Sequence, residues 1–132
     1  MPNYPQVALE FMNRDHEEFV AIRTKLLNLL VARSSNAELD ILLHEFLEHT
    51  RHHFAEEERL MQETRFPPYG MHKGEHDNVL ADMSAHIDQW KQGRNSTALR
   101  EWLAGPVGDW FVNHVKTMDF MTAGLIETQK KG

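Results

Sequence analysis

The sequence contains no cysteine among its 132 residues. Disulfide bonds, iron–sulfur clusters and thiol catalysis are therefore excluded for this chain. It also has no stretch approaching the roughly 18 consecutive apolar residues of a membrane-spanning helix. Its first residues show neither the basic start nor the apolar run of a secretory signal. These absences lead us to predict a cytoplasmic protein with no membrane partner.

Basic residues are scarce relative to acidic ones. The chain has 14 Lys and Arg against 20 Asp and Glu, which gives a net charge of −6. Because nucleic acid is bound through a basic surface, we predict no nucleic-acid partner. The length suits one domain with a full hydrophobic core, and no repeat or linker divides it. We therefore expect a single domain over residues 1–132, with residues 1–12 forming an N-terminal arm.

Apolar residues recur at helical spacing in four segments. The predicted helices run from about Asn13 to Val31, Ala37 to Gln62 and Met71 to Lys91, followed by a fourth in two parts, Ala98 to Leu103 and Trp110 to Ile126. We expect Asn13 or Asp15 to cap the first helix, Asn36 the second and Ser96 the fourth. Gly93 suits the carboxyl end of the third helix.

The connections between these segments are short. Ser34-Ser35-Asn36 and Phe66-Pro67-Pro68-Tyr69-Gly70 separate the first three helices, and two prolines cannot continue a helix. Within the fourth segment, Gly105-Pro106-Val107-Gly108 predicts either a kink at Pro106 or a short helix followed by a longer one. Four helices with short connections predict an all-α, antiparallel up-down-up-down four-helix bundle.

Five of the nine histidines combine with two carboxylates in one pattern. Its members are His16, His53, Glu57, His72, His76, His114 and Asp119. Four of them form two i,i+4 pairs, and such residues lie on one face of a helix about 6 Å apart along its axis. Nitrogen-rich, thiolate-free ligands suit iron, copper or zinc, and carboxylates can bridge two ions. We interpret the pattern as a di-metal site inside the bundle.

Each pair also has a simpler explanation when it is taken alone. His53 and Glu57 would form a surface pair if their helix were slightly rotated, and His72 and His76 would form a solvated face at the start of theirs. Glu57, however, falls within an apolar stripe, where a carboxylate without a partner would cost several kcal/mol. The four segments taken together favour the metal site.

The segments that carry the pattern resemble the four helix motifs of the hemerythrins. The matching stretches are Met12-Asn13-Arg14-Asp15-His16-Glu17-Glu18-Phe19, His53-Phe54-Ala55-Glu56-Glu57-Glu58-Arg59-Leu60-Met61, His72-Lys73-Gly74-Glu75-His76-Asp77 and Trp110-Phe111-Val112-Asn113-His114-Val115-Lys116-Thr117-Met118-Asp119. The second is the most specific. The resemblance extends from about residue 4 to about residue 120 and is strongest to single-domain bacterial hemerythrins.

The resemblance implies a role for each residue of the pattern. His72, His76 and His114 would bind one iron, His16 and His53 the other, and Glu57 and Asp119 would bridge the two. An oxo or hydroxo group would complete the bridge between two ions that cycle between Fe²⁺ and Fe³⁺, roughly 3.5–4 Å apart. The iron with two histidines keeps an open position, where O₂ would be held reversibly as hydroperoxide.

The function that this resemblance implies is a non-haem di-iron oxygen-binding protein, serving as an O₂ carrier, store or sensor rather than an enzyme. One alternative is a di-iron enzyme that acts on peroxide or nitric oxide. Another is iron storage, although ferritin-type bundles use Glu-x-x-His motifs and this chain has His-x-x-x-Glu. The sequence leaves the oligomeric state open, and a monomer is compatible with it.

Several residues outside the pattern are also informative. His49, one turn before His53, could be a hydrogen-bonding partner, a proton donor, an added ligand or a half-buried residue at the rim. Arg23 either extends to solvent or pairs with an inward acid such as Asp82. We expect His44, His52, Glu56 and Glu58 to be solvated, the three tryptophans to serve packing, and the site to have apolar walls from Phe19, Val20, Phe46, Leu60, Val79, Met83 and Phe111.

The spacing of His114 and Asp119 makes a geometric prediction. Residues five apart on a regular α-helix are separated by about 140° beyond one full turn, so their side chains diverge. A π-helical turn absorbs one extra residue and brings such a pair nearly into line. We therefore predict a π-type hydrogen bond, or an equivalent break in the α-helical pattern, between about Asn113 and Met121. A regular α-helix from Trp110 to Ala123 would contradict it.

Overall fold

The computed structural model describes residues 4, 6–64 and 69–131, and these are helical almost throughout. The first three helices are Glu10–Val31, Asn36–Glu63 and Tyr69–Gly93. The fourth occupies residues 96–131 and contains two π-helical turns. The predicted all-α four-helix fold is confirmed. Each of the first three helices extends by one to three residues beyond its predicted start, and the second and third beyond their predicted ends.

Neighbouring helices run antiparallel. In the first and fourth helices, for example, His16 contacts Asp119 whereas Arg23, two turns later, contacts Leu103, which lies earlier in the fourth helix. The other neighbouring pairs show the same opposite order. The first and second helices meet at Asp15–His53 and Phe19–Phe46. The second and third meet at Glu58–His76 and Asp40–Trp90, and the third and fourth at Glu75–His114 and His86–Trp102.

The helix starts differ from the predicted caps. The first helix follows Leu9, which makes no side-chain capping bond, and the side chain of Asn13 instead bonds both the N–H and the carbonyl of Val7. Ser35, not Asn36, caps the second helix by accepting from the Glu38 N–H at 3.2 Å. Each true cap lies one residue or more before the predicted one, because the helix begins earlier.

The turn before the fourth helix shows the same shift. Asn95, not Ser96, accepts the N–H of Ala98 at 3.0 Å. Gly93 is the last residue of the third helix, as its predicted place at the carboxyl end requires, and Arg94 adopts a positive φ of 51°. The predicted break at Phe66-Pro67-Pro68 lies outside the described residues, whereas Tyr69 and Gly70 belong to the third helix.

Pro106 changes the hydrogen-bonding pattern of the fourth helix without ending it. The α-helical segment Ser96–Trp102 continues into a π-helical turn, Leu103–Val107, and then into the α-helical segment Gly108–His114. Proline has no N–H to donate, so a regular α-helix would leave a carbonyl of the preceding turn without its partner. The predicted interruption therefore takes the form of a widened turn.

Arg23 supports this turn from the first helix. Its Nε–H donates to the carbonyl of Leu103 at 2.8 Å, and its Nη2 donates to the carbonyl of Ala104 at 3.0 Å. A Cβ atom at Gly108 would lie 2.7 Å from the same Nη2, so glycine leaves room for the guanidinium. Arg23 is half-buried, and its bond to Ala104 lies at an exposed position, which agrees with the predicted option that it extends to solvent. The carbonyls of the turn take its donors in place of the predicted partner Asp82.

A second π-helical turn, Val115–Asp119, separates Gly108–His114 from the final α-helical segment, Phe120–Lys131. It lies within the range predicted from the spacing of His114 and Asp119, and that prediction is confirmed. The extra residue brings the two side chains to one side of the helix, with His114 Nε2 3.0 Å from Asp119 Oδ1. The π turn therefore lets one helix supply both side chains to the bundle interior.

Apolar side chains fill the bundle interior above and below the level of His114 and Asp119. Fully buried residues include Leu26, Leu43, Phe46 and Leu103 toward one end and Met12, Met61 and Ile126 toward the other. Among the described residues, we find no helix with the length and apolar character needed to cross a membrane. The polar residues of the pattern therefore lie between two apolar layers.

We predict that Arg23→Met destabilises the bundle by about 1–3 kcal/mol, because it removes the charged donors that bond the carbonyls of Leu103 and Ala104. Urea unfolding monitored by circular dichroism would measure the change. Lys25→Met, at an exposed position on the same helix, is the matched control and should change stability by much less. Equal stability of the two variants would contradict this role for Arg23.

Candidate metal centre

The seven residues of the histidine–carboxylate pattern meet in the interior of the bundle. His16 comes from the first helix, His53 and Glu57 from the second, His72 and His76 from the third, and His114 and Asp119 from the fourth. Their exposed fractions range from 0% for His76 to 7% for His53. The explanation of His53–Glu57 as a surface pair and of His72–His76 as a solvated face is therefore excluded.

Their donor atoms form two overlapping groups, and within each group the atoms lie within 4.8 Å of one another. One group contains His72, His76 and His114, and the other contains His16 and His53; both include Glu57 and Asp119. The two carboxylates therefore lie between a set of three imidazoles and a set of two. This arrangement can hold two cations with both carboxylates shared between them.

The carboxylate oxygens lie close to the ring nitrogens on each side. The five short separations are His53 Nε2–Glu57 Oε2 at 3.0 Å, His76 Nε2–Glu57 Oε1 at 3.1 Å, His16 Nε2–Asp119 Oδ2 at 2.9 Å, His72 Nε2–Asp119 Oδ1 at 3.2 Å and His114 Nε2–Asp119 Oδ1 at 3.0 Å. Each carboxylate thus contacts imidazoles of both sets.

Most of these atoms nevertheless lack a hydrogen-bond partner. Among the residues that the structure describes, the Nε2 atoms of His53, His72, His76 and His114 are buried without one, as are both oxygens of Glu57 and Oδ1 of Asp119. Buried polar atoms in native proteins are nearly always satisfied, and leaving one unsatisfied costs about 1–3 kcal/mol. So many unsatisfied donors and acceptors around one centre fit a site for cations, which would satisfy them together.

The opposite ring nitrogen of four histidines is held by a further partner. Asp15 accepts from His53 Nδ1 at 2.8 Å, Glu58 from His76 Nδ1 at 3.0 Å and Glu75 from His114 Nδ1 at 2.7 Å. Thr122 Oγ1 lies 2.8 Å from His72 Nδ1. Such partners fix the tautomer and turn Nε2 toward the centre. His16 is different, since its Nδ1 has no partner.

Sequence reasoning missed these four partners. Asp15 was predicted as a helix cap and Glu58 as a solvated neighbour of Glu57, and both predictions were wrong; Glu75 and Thr122 were not singled out. A signal was present for the three acids, because each is adjacent in sequence to a residue of the pattern. Successive residues on a helix are about 100° apart, so each acid reaches a histidine on the next helix rather than its own neighbour.

Beside the centre is a small cavity of about 20 Å³. Its lining includes His16, His53, His114 and Asp119 but not His72, His76 or Glu57, so it borders the two-histidine side. Of the predicted wall residues, Phe19 and Phe111 line it, as do three that we did not predict: Thr50, Phe54 and Trp110. Val20, Phe46 and Leu60 are buried elsewhere in the core, and Val79 and Met83 line a different cavity.

His49 also lines this small cavity and is half-buried. Its Nε2–H donates to the carbonyl of Asp15 at 3.1 Å, and its Nδ1 lies 3.5 Å from Glu18. It is not part of either donor group. Of the predicted options, the half-buried rim position agrees with the structure, and the added ligand does not. His44 and His52 are exposed as predicted, and His86 stacks on Trp102, away from the site.

The electrostatics of the centre favour charged pairs over neutral groups. Burial alone would lower the pKa of His53, but Glu57 and the hydrogen bond to Asp15 raise it to about 10. Burial likewise opposes the shift at His114, whose pKa rises to about 10 because of Asp119 and Glu75. Burial and the charge of Asp119 would raise the pKa of Glu57, yet His53 and His76 hold it at about 2.

A helical bundle with two overlapping sets of buried imidazoles and shared carboxylates belongs to the class of metal-binding four-helix bundles. A family model described as the hemerythrin HHE cation binding domain matches residues 7–126. The chain belongs to the hemerythrin family. The family is described as cation binding, which agrees with the donor groups found here.

Individual relatives agree with this assignment. The chain is 33% identical over 113 residues to a bacteriohemerythrin from Aquifex aeolicus, covering 86% of each chain. It is 40% identical over 91 residues to one from Ralstonia nicotianae, covering 69% of this chain and 65% of the relative. A hemerythrin from Themiste dyscrita is 34% identical over 98 residues, covering 74% and 72%. No solved structure gives a significant match.

We predict that Glu57→Gln lowers metal content by at least one ion per chain, because it removes the charge of a carboxylate shared by both donor groups. The increase in melting temperature on adding metal should shrink accordingly, since bound metal stabilises the folded state. Elemental analysis and calorimetry would measure both effects. Glu56→Gln, on the more exposed neighbour, is the control, and equal metal content in the two variants would argue against Glu57 as a ligand.

We also predict that metal uptake releases protons. With pKa values of about 10, His53 and His114 are protonated at neutral pH in the metal-free protein. The ion pairs of His53 with Glu57 and of His114 with Asp119 stabilise the metal-free fold. Their contribution to stability is complete below the ordinary histidine pKa of 6.5 and is lost as the pH rises through about 10. Metal needs neutral imidazole, so the apparent affinity should increase with pH up to about 10.

A weakly buffered solution with a pH indicator would measure the release, with one proton expected from each of the two histidines. His44→Ala serves as the control, because His44 is exposed and outside both donor groups. Metal uptake without proton release at pH 7, or an affinity that does not change with pH, would disagree with this account.

Proposed function

We propose that the protein binds O₂ reversibly at a pair of iron ions held by the seven residues. The observation that carries this proposal is the inequality of the two donor groups, three imidazoles against two, with both carboxylates shared. His72, His76 and His114 would hold one ion, His16 and His53 the other, and Glu57 and Asp119 would bridge them. When bound, a ferrous pair supplies two electrons and one open coordination position to O₂.

The position of the small cavity supports binding on the two-histidine side. The cavity of about 20 Å³ borders His16 and His53 and has space for a small molecule such as O₂. Phe19, Phe54, Trp110 and Phe111 form the apolar part of its wall, and His16 stands edge-on to Phe111, with ring centroids 5.6 Å apart. Such a wall would limit the access of water to the ions, which favours reversible binding over release of an oxidised product.

The residues around the ions would balance their charge. Two carboxylates offset part of the charge of two cations in a low-dielectric interior, and Asp15, Glu58 and Glu75 hold three of the imidazoles from outside. These acids make their histidines better ligands and fix the ring planes before any metal arrives. The site is therefore organised for two cations by the protein itself.

The position of His49 supports a second candidate function, the reduction of peroxide or nitric oxide at the same ions. It is a titratable side chain that lines the small cavity without belonging to a donor group, so it can deliver a proton there. Iron storage is less consistent with the site, because the seven buried side chains enclose the centre and leave no space for an iron mineral to grow. A location in the cytoplasm and a monomeric state stay predictions.

The proposed function predicts a protein with two irons per chain that changes colour on oxygenation. The reduced protein, prepared without air, should be colourless, and air should produce a visible charge-transfer band that disappears again under vacuum. Elemental analysis and optical spectroscopy would measure both, with zinc-loaded protein as the colourless control. One metal per chain would refute the di-iron proposal, and a band that decays irreversibly to the ferric form would favour the enzyme.

A further inference from the structure

A second, larger cavity lies next to the small one. It has a volume of about 340 Å³ and lies between the third and fourth helices. Val79 and Met83 line it from the third helix, and Pro106 and Val107 from the first π-helical turn of the fourth. We call it the outer cavity and the 20 Å³ space beside the metal centre the inner cavity. The outer cavity is mainly apolar, with Asn78 and Asp82 at its polar edge.

The two cavities share a wall. Phe19 and Trp110 line both of them, and their ring centroids are 6.5 Å apart. Trp110 also stacks on His114, with centroids 4.7 Å apart, and donates its Nε1–H to Glu75 at 3.0 Å. These two aromatic side chains therefore lie between the outer cavity and the space beside the donor groups.

A third cavity reaches the inner one from the opposite side and has a different character. It has a volume of about 510 Å³, and it shares Asp15 and His49 with the inner cavity. Arg14, Glu18 and Glu56 also line it, so its surface is charged. Water hydrogen-bonds the walls of such a polar space, whereas apolar cavities take up apolar molecules such as xenon.

We infer that O₂ docks in the outer cavity and passes between Phe19 and Trp110 to reach the inner cavity. O₂ has no charge and no dipole, so it gains nothing from the charged walls of the third cavity, whereas in the outer cavity it contacts apolar side chains. This inference rests on the proposed function, since it assigns a docking site and a route to the same ligand.

The first π-helical turn contributes to this docking site. Pro106 and Val107 form part of the cavity wall, and Arg23 holds the preceding carbonyls from the side of the first helix. The widened turn thus contributes two apolar side chains to the wall of the outer cavity. The Gly105-Pro106-Val107-Gly108 stretch, which the metal centre does not use, has a role in this arrangement.

Filling the outer cavity tests the inference. Val79→Trp adds a large side chain to the outer cavity at a residue that does not line the inner one, and Val79→Phe is a milder version if the first variant folds poorly. Leu80→Trp is the matched control, because Leu80 is the next residue on the same helix, is half-buried like Val79 and lines neither cavity.

Flash photolysis and stopped-flow mixing of the iron-loaded full chain would measure O₂ association and dissociation. Because one passage serves both directions, filling it should slow both rates by a similar factor, several-fold in Val79→Trp, and leave the equilibrium affinity nearly unchanged. Leu80→Trp should keep both rates. Unchanged rates in both Val79 variants would overturn the inference. A several-fold slowing in His52→Trp alone would overturn it as well, because His52 lines the third cavity but not the inner one and the slowing would place entry on the charged side.

Xenon provides a readout that does not depend on iron or O₂. Crystals of the protein under xenon pressure should show xenon in the outer cavity, and Val79→Trp should remove it. Absence of xenon from the outer cavity of the unmodified protein would overturn the docking site even if O₂ binds. Failure of the reduced protein to bind O₂ at all, with xenon still present, would instead refute the proposed function and remove the ligand that this route serves.

Discussion

The burial of two carboxylates among five imidazoles is the constraint on which the rest of the structure depends. Glu57 and Asp119 are each 1% exposed, and within the described part of the chain the ion pairs of both carboxylates are with histidines. Two acids this close would repel each other in a low-dielectric interior unless positive charge lay between or around them. Protons on His53 and His114 supply that charge without metal, and cations would supply it with metal. All four helices must meet at this level for the compensation to work.

The acids outside the centre tie the helices together in sequence order. Asp15 on the first helix holds His53 on the second, Glu58 on the second holds His76 on the third, and Glu75 on the third holds His114 on the fourth. Each acid precedes or follows a residue of the pattern on its own helix. The ring of a histidine on one helix is thus positioned by an acid on the neighbouring helix, so the metal centre takes shape only as the helices pack together.

Much of this could be predicted from the sequence, and the failures have physical causes. The four helices follow from apolar spacing, and the π turn follows from the five-residue spacing of His114 and Asp119, because both depend on helix geometry alone. The partners of Asp15, Glu58 and Arg23 depend on which helix packs beside which, and local patterns do not contain that information. The caps of the second and fourth helices were displaced by one residue, because Asn and Ser both cap well and stand side by side at each of these two starts.

The two π-helical turns divide the fourth helix into three separately phased parts. Each turn holds one residue more than a regular α-helical turn, and one residue corresponds to about 100° of rotation. The middle part, Gly108–His114, carries Trp110, Phe111 and His114 between them. Loss of a single residue from the first turn would rotate these three side chains, and the rest of the helix after them, by about 100° relative to Leu99 and Trp102. One added residue at the second turn would restore the phase of the final segment, Phe120–Lys131. A paired deletion and insertion at the two turns would therefore change what faces the pocket while both ends of the helix kept their packing.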